Sequence, residues 1–83
     1  MTTTAAAPAA PADLQPGVTL RHYKGGMYRV VGLCRIEATL KTGVLYRACE
    51  GDEDVVWMRP LAEFSDVVST ADGPVPRFTV VPA

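Results

Sequence analysis

Two strand-like runs meet at Lys24-Gly25-Gly26, and that junction restricts the fold more than any other feature of the chain. Val18-Thr19-Leu20-Arg21-His22-Tyr23 alternates with the two-residue period of a strand, and Met27 to Ile36 is rich in the β-branched and aromatic residues that strands favour. Glycine supplies the positive φ that a tight turn needs, so the residues between the runs read as a hairpin turn. In the second run Arg29 and Arg35 fall on odd positions with Met27, Val31 and Leu33, which makes the odd set the outer face. Tyr28, Val30, Cys34 and Ile36 then face inward, and Gly32 in mid-strand predicts a bulge or a sharp bend.

The rest of the chain continues in short pieces. Residues 37–43 read as a loop ended by a glycine, and Val44 to Cys49 as a third strand. Gly51-Asp52-Glu53-Asp54 is an acidic turn, and Val55 to Arg59 a fourth strand that stops at Pro60, which has no N–H for a ladder. Residues 60–65 can form one helical turn with proline at its start and with Leu61 and Phe64 directed at the core. Val67-Val68 reads as a brief extension, Asp72-Gly73-Pro74 as a turn, and Arg77 to Val81 as a closing strand. The expected fold class is therefore all-β. A flat five-stranded sheet of this size leaves exposed edges and a bare face, so the expectation is a strongly bent sheet or an SH3-like barrel. An open antiparallel sheet with a covering helix is the alternative.

Residues 1–16 contain threonines, alternating alanine and proline, and no large apolar side chain before Leu14. They are expected to form a disordered tail, and residues 17–81 a single small domain. A chain of 83 residues holds one domain, with a thin core that buries only about 60% of the unfolded surface. Eight basic residues face nine acidic ones, and the net charge of −1 argues against a dominant electrostatic grip on nucleic acid, while leaving local patches open. The N-terminus has neither the basic nor the apolar region of a signal peptide, and no apolar run approaches the ~20 residues that span a bilayer. The expectation is a cytoplasmic protein with no membrane partner, whose two cysteines stay reduced.

The residues able to do chemistry are few. His22 is the single histidine, and its neighbours Arg21, Tyr23 and Lys24 include no acid to orient it as a general base. Nearby cations favour its neutral ring. Cys34 and Cys49 lack metal-ligand spacing. In one register of strands two and three they lie opposite each other; one residue of slip puts them on opposite sides, and as free thiols they read as small core hydrophobes. The run from Glu50 to Asp54 lacks the spacing of a calcium loop and reads as a solvated turn. No catalytic residue, metal site or cofactor is assigned.

What remains is a basic-aromatic set: Arg21, His22, Tyr23, Lys24, Tyr46, Trp57 and Arg59, with Tyr28 and Arg47 beside them. On a small β scaffold such groups stack planar rings and grip phosphates or carboxylates. The competing reading puts Tyr28, Tyr46 and Trp57 in the core, since aromatic rings supply much of the burial in a thin β domain. Trp57 and Arg59 share strand parity. An arginine at the end of an apolar strand either faces a ligand or pairs with a carboxylate, here Glu37, Glu63 or Asp66.

Three segments carry a family resemblance: Arg21-His22-Tyr23-Lys24-Gly25 with Tyr28 and Val30-Val31-Gly32; Val44-Leu45-Tyr46-Arg47-Ala48; and Trp57-Met58-Arg59-Pro60-Leu61 with Phe64 and then Pro76-Arg77-Phe78. Together they resemble the bacterial domain-of-unknown-function family 1653 over nearly the whole chain after residue 16. The resemblance implies a small β-rich domain and supplies no activity. The chain departs from the family pattern where Ile36 stands in place of an expected histidine and where Glu50 precedes Gly51 in place of an aromatic residue. Three functions follow for testing. The first is a non-catalytic binding module that uses the basic-aromatic face, with a protein, peptide or nucleotide-like ligand and with nucleic acid left open. The second is a small enzyme or accessory domain with a site around His22 and Arg59. The third is an assembly partner that exposes an apolar strip on Phe78-Thr79-Val80-Val81.

Overall fold

A computed structural model describes residues 13–51, 54–64 and 66–82. Among the described residues seven strands form: β1 (Thr19–His22), β2 (Met27–Arg35), β3 (Thr42–Ala48), β4 (Trp57–Pro60), β5 (Val67–Thr70), β6 (Gly73–Pro76) and β7 (Phe78–Val80). A 3-10 turn, Leu61–Glu63, follows β4. Five strands make one antiparallel sheet in the order β4-β3-β2-β1-β7, and β5 pairs with β6 in a separate ribbon. The all-β, five-stranded expectation holds. The sheet is not closed into a barrel, because its edge strands β4 and β7 do not pair with each other.

The first hairpin turns as the glycines dictate: Gly25 takes φ 102° and its N–H donates to the carbonyl of His22 at 2.7 Å. Along β2 the odd residues are exposed throughout, as their arginines require, and the ladder to β3 shifts between Val30 and Gly32, the bulge expected at Gly32. The turn from β2 to β3 is built otherwise than glycine placement implies. Leu40, not a glycine, adopts the left-handed conformation (φ 60°), with its carbonyl held by Arg35 Nη1 at 3.0 Å. Gly43 lies inside β3 opposite Cys34. Its missing side chain makes room: a Cβ there would stand 2.8 Å from Cys34 Sγ and 2.9 Å from Met58 Sδ.

Two further expectations are corrected. The segment read as a brief extension and a turn is a full hairpin, with Thr70 opposite Gly73 across Ala71-Asp72. Pro74 and Pro76 hide it from a sequence reading, yet β6 pairs on one side only, where a missing donor is tolerated. The cysteines do not meet: Cys34 pairs with Gly43, while the N–H of Cys49 donates to Met27 at the other end of the same ladder. Both are free, Cys49 is exposed and Cys34 partly so, and neither belongs to the core.

The core consists of Leu14, Leu20, Val30, Val44, Tyr46, Phe64 and Phe78, with Leu61 and Val80 packed against it. The helical turn thus delivers Leu61 and Phe64 as its spacing implies. Phe78 is fully buried, while Thr79, Val80 and Val81 are partly exposed on the edge strand β7. Leu14, assigned by sequence to the tail, is buried, and the packed unit reaches back at least to that residue. Residues 1–12 of the expected tail, residues 52–53 of the acidic turn and Ser65 of the helical-turn window lie outside the described residues. Among the described residues no helix is long and apolar enough to cross a membrane.

Candidate functional site

The sheet brings the two halves of the basic-aromatic set together through register. His22 ends β1 directly opposite Phe78 of β7, and Leu20, two residues earlier on the same face, lies opposite Tyr28 of β2. Val30 lies opposite Tyr46, and Tyr46 opposite Trp57. Opposed residues of antiparallel strands share a face. His22, Tyr28, Tyr46, Trp57, Arg59 and Phe78 therefore converge and line one open concavity of about 200 Å³.

Its floor is aromatic. Tyr46 lies edge-on to Tyr28, Phe64 and Phe78 at centroid distances of 5.4, 5.5 and 5.6 Å, and Phe64 stacks on Phe78 at 4.8 Å. His22 packs edge-on against Phe78 at 5.1 Å. Such pairs fix ring positions beyond what simple burial does. Tyr46 is core, as one reading of the sequence allowed. Trp57 is not: it is 54% exposed on edge strand β4, and among the described residues its indole pairs with no other ring.

The rim is cationic. Arg59 Nη1 donates to Glu63 Oε1 at 3.0 Å across the 3-10 turn, which selects Glu63 from the three carboxylates the sequence offered. Such a part-exposed pair contributes little stability, roughly 0.3–0.5 kcal/mol, and its effect is to orient the guanidinium. The buried Nε–H groups of Arg59 and of Arg77 have no hydrogen-bond partner among the described residues. An unsatisfied buried donor costs about 1–3 kcal/mol; of the two arginines Arg59 lines the concavity and Arg77 does not.

His22 connects floor and rim. The backbone N–H of Lys24 donates to its Nδ1 at 3.2 Å, so the neutral ring carries its proton on Nε2 and is a donor there. Burial first, and then the charges of Arg77, Lys24 and Arg59, push the pKa of His22 below its ordinary value of 6.5. The site thus offers donors and positive charge, and the carboxylate of Glu63 beside it is already engaged by Arg59.

The remaining sequence candidates stand elsewhere. Arg21, one residue from His22, projects from the opposite face beside Met27 and Thr79, as strand alternation requires. With Tyr23 and the prolines of β6 it borders a second concavity of about 430 Å³, which His22 also touches. Lys24 sits in the exposed hairpin turn, with Nζ 5.8 Å from the Tyr23 ring centroid. Sequence reasoning did not assign Phe78 and Arg77 to the site. Phe78 lines it through the pairing of β7 with β1, a contact between distant parts of the chain that no local pattern encodes, and Arg77, the residue before it, acts on His22 through its charge. Ile36 packs with Cys34 and Met58 around Gly43, on the face of β3 opposite Val44 and Tyr46, so a histidine at that position would stand on the other side of the sheet from this concavity. Among the described residues no cluster of histidine, cysteine and carboxylate side chains has the makings of a metal site.

The family described as "Protein of unknown function (DUF1653)" matches residues 19–80. A solved structure is similar as well: the crystal structure of a DUF1653 protein from Bordetella bronchiseptica is 37% identical, the alignment covers 87% of this chain and 92% of that one, and the TM-score is 0.71. No curated protein matches the chain.

Proposed function

The chain belongs to the DUF1653 family, whose description assigns no activity, and from that premise we propose its function on the site alone: a non-catalytic binding module that takes an anionic group into the concavity between His22 and Arg59. One observation carries this reading. Four residues the sequence singles out for cation and ring chemistry, His22, Tyr46, Trp57 and Arg59, come from three separate strands and line one opening. The Nε2–H of neutral His22, the Tyr46 hydroxyl, the Trp57 indole N–H and the Arg59 guanidinium are all able to donate. Arg59, oriented at the opening by Glu63 and with a part-exposed side chain, supplies the charge-assisted donors that an acceptor-only anion needs.

The alternative, an enzyme centred on His22 and Arg59, has less to draw on. The lining holds no serine, threonine or cysteine nucleophile and no carboxylate to orient the imidazole, and His22 Nδ1 is already occupied by the Lys24 N–H. The test is an amide chemical-shift titration with inorganic phosphate, acetate and their uncharged analogues. The expected result is that anions, not neutral compounds, move the amides of His22, Lys24, Trp57 and Arg59, and that Arg59→Gln weakens binding by roughly tenfold or more, in line with the loss of a charge-assisted hydrogen bond. Shifts scattered over the surface, or equal for charged and neutral compounds, would overturn the reading.

A further inference from the structure

We infer that the ligand of this site is a nucleoside monophosphate, its phosphate held between His22 and Arg59 and its base stacked on Trp57; this rests on the reading of the concavity as an anion site. Size is the first ground. A cavity of about 200 Å³ falls below the roughly 300–1,000 Å³ of pockets that enclose a whole small molecule, so it accepts a charged group while the rest of the ligand lies across the rim.

The rim next to the opening is Trp57. It is the only tryptophan of the chain, 54% exposed, and its ring faces are free of other rings among the described residues. In a domain short of core, the largest side chain is withheld from burial and set beside a cationic pocket. Trp57 and Arg59 are two residues apart on one strand face, about 6.7 Å by strand rise. A ribose separates base from phosphate by a distance of that order. A ring bonded directly to its carboxylate, as in benzoate, is too short to reach both.

Charge is the third ground. Arg77, Lys24 and Arg59 all act electrostatically on His22, and the cationic field they make suits a phosphate monoester of charge about −1.5 to −2 better than a singly charged carboxylate. A free nucleotide and the phosphorylated end of a single strand share this chemistry.

Trp57 fluorescence reads the stacking directly, since no other tryptophan contributes. The protein is titrated with inorganic phosphate, ribose phosphate, adenosine monophosphate, benzoate and a short single-stranded oligonucleotide with a terminal phosphate. The expected result is quenching by adenosine monophosphate and, with affinities read from the amide chemical shifts of His22 and Arg59, binding roughly tenfold or more tighter than that of ribose phosphate; in the same amide titration Trp57→Ala brings the nucleotide down to the affinity of ribose phosphate. Tighter binding of the oligonucleotide than of the mononucleotide upholds the chemistry and assigns a strand end as its source; equal or weaker binding upholds it with a free nucleotide. Equal affinity for ribose phosphate and adenosine monophosphate, or benzoate binding as tightly as the nucleotide, overturns the nucleoside assignment and leaves the anion site standing. Failure of phosphate, ribose phosphate and nucleotide alike overturns the anion site itself.

Discussion

His22 shows how a single residue joins stability to the site. Its folded pKa lies below the 6.5 of the unfolded chain, through burial and the cations Arg77, Lys24 and Arg59. Between those two pKa values the unfolded chain holds the extra proton, so stability rises with pH there. The contribution is present in full above 6.5 and is lost as pH falls through the lowered value. Denaturation midpoints of the wild type and His22→Gln, measured from neutral pH downward, should diverge in slope within that window, with the wild type falling more steeply. Parallel curves would mean that the ring is solvated as in the unfolded chain. Leu40 offers a second test at this scale. A leucine at φ 60° sits where its Cβ crowds the backbone, a cost of about 1–2 kcal/mol that glycine avoids. Leu40 is also 67% exposed and contributes little packing. Leu40→Gly should raise the unfolding free energy by about 0.5–1 kcal/mol in denaturant titrations, after the larger chain entropy of glycine is subtracted.

At the scale of elements, β3 is the strand on which the sheet is assembled, paired on both sides by β2 and β4. One face of it carries Val44 and Tyr46 into the core; the other carries Gly43 beneath Cys34, Ile36 and Met58. This second, outer cluster gives the buried Gly43 its meaning, which is close packing and not turn formation. Gly43→Ala should destabilise by about 1–3 kcal/mol through overpacking, read as a lower midpoint in urea with unchanged slope. A neutral effect would mean that the two sulfur-bearing side chains move aside freely.

The same elements show what could be read from the chain. The five strands of the main sheet were legible because turns at Gly25 and Pro60 and the parity of Arg29 and Arg35 are local signals, and the bulge announced itself through Gly32. The β5-β6 hairpin was not, because Pro74 and Pro76 argue against a strand unless its one-sided pairing is known. The site was half legible. His22, Tyr46, Trp57 and Arg59 were chosen for their chemistry, but neighbours such as Arg21 were chosen with them, and only register separates Arg21 from His22. Phe78 arrives by long-range pairing, with the charge of Arg77 beside it, and the exposure of Trp57 follows from the place of β4 at the sheet edge.

On the scale of the whole molecule, a small open sheet has to close its core with segments from outside the sheet. Phe64 does so from the turn after β4, and Leu14 from the chain before β1. Leu14 is 1% exposed, so Leu14→Ala should cost about 2–5 kcal/mol, a large part of the stability of a domain this size. A fall in thermal midpoint of less than a few degrees would show that the residue is dispensable and that the domain begins nearer residue 17. The open architecture also explains the site. Had the sheet closed, Trp57 at one edge and the β1-β7 end that carries His22 and Phe78 would be tied into ladders; left open, they border a concavity over an aromatic floor.

The most direct test of that concavity as an anion site is the titration of His22 itself by NMR, with and without sulfate, whose charge is constant over about pH 5–8, at ionic strength matched with chloride. An anion seated beside the ring favours the imidazolium, so sulfate should raise the His22 pKa from its lowered value toward or past 6.5, and by linkage should bind more tightly as pH falls. Arg59→Gln should abolish most of that rise. A His22 pKa that is the same in sulfate and in chloride would contradict the account.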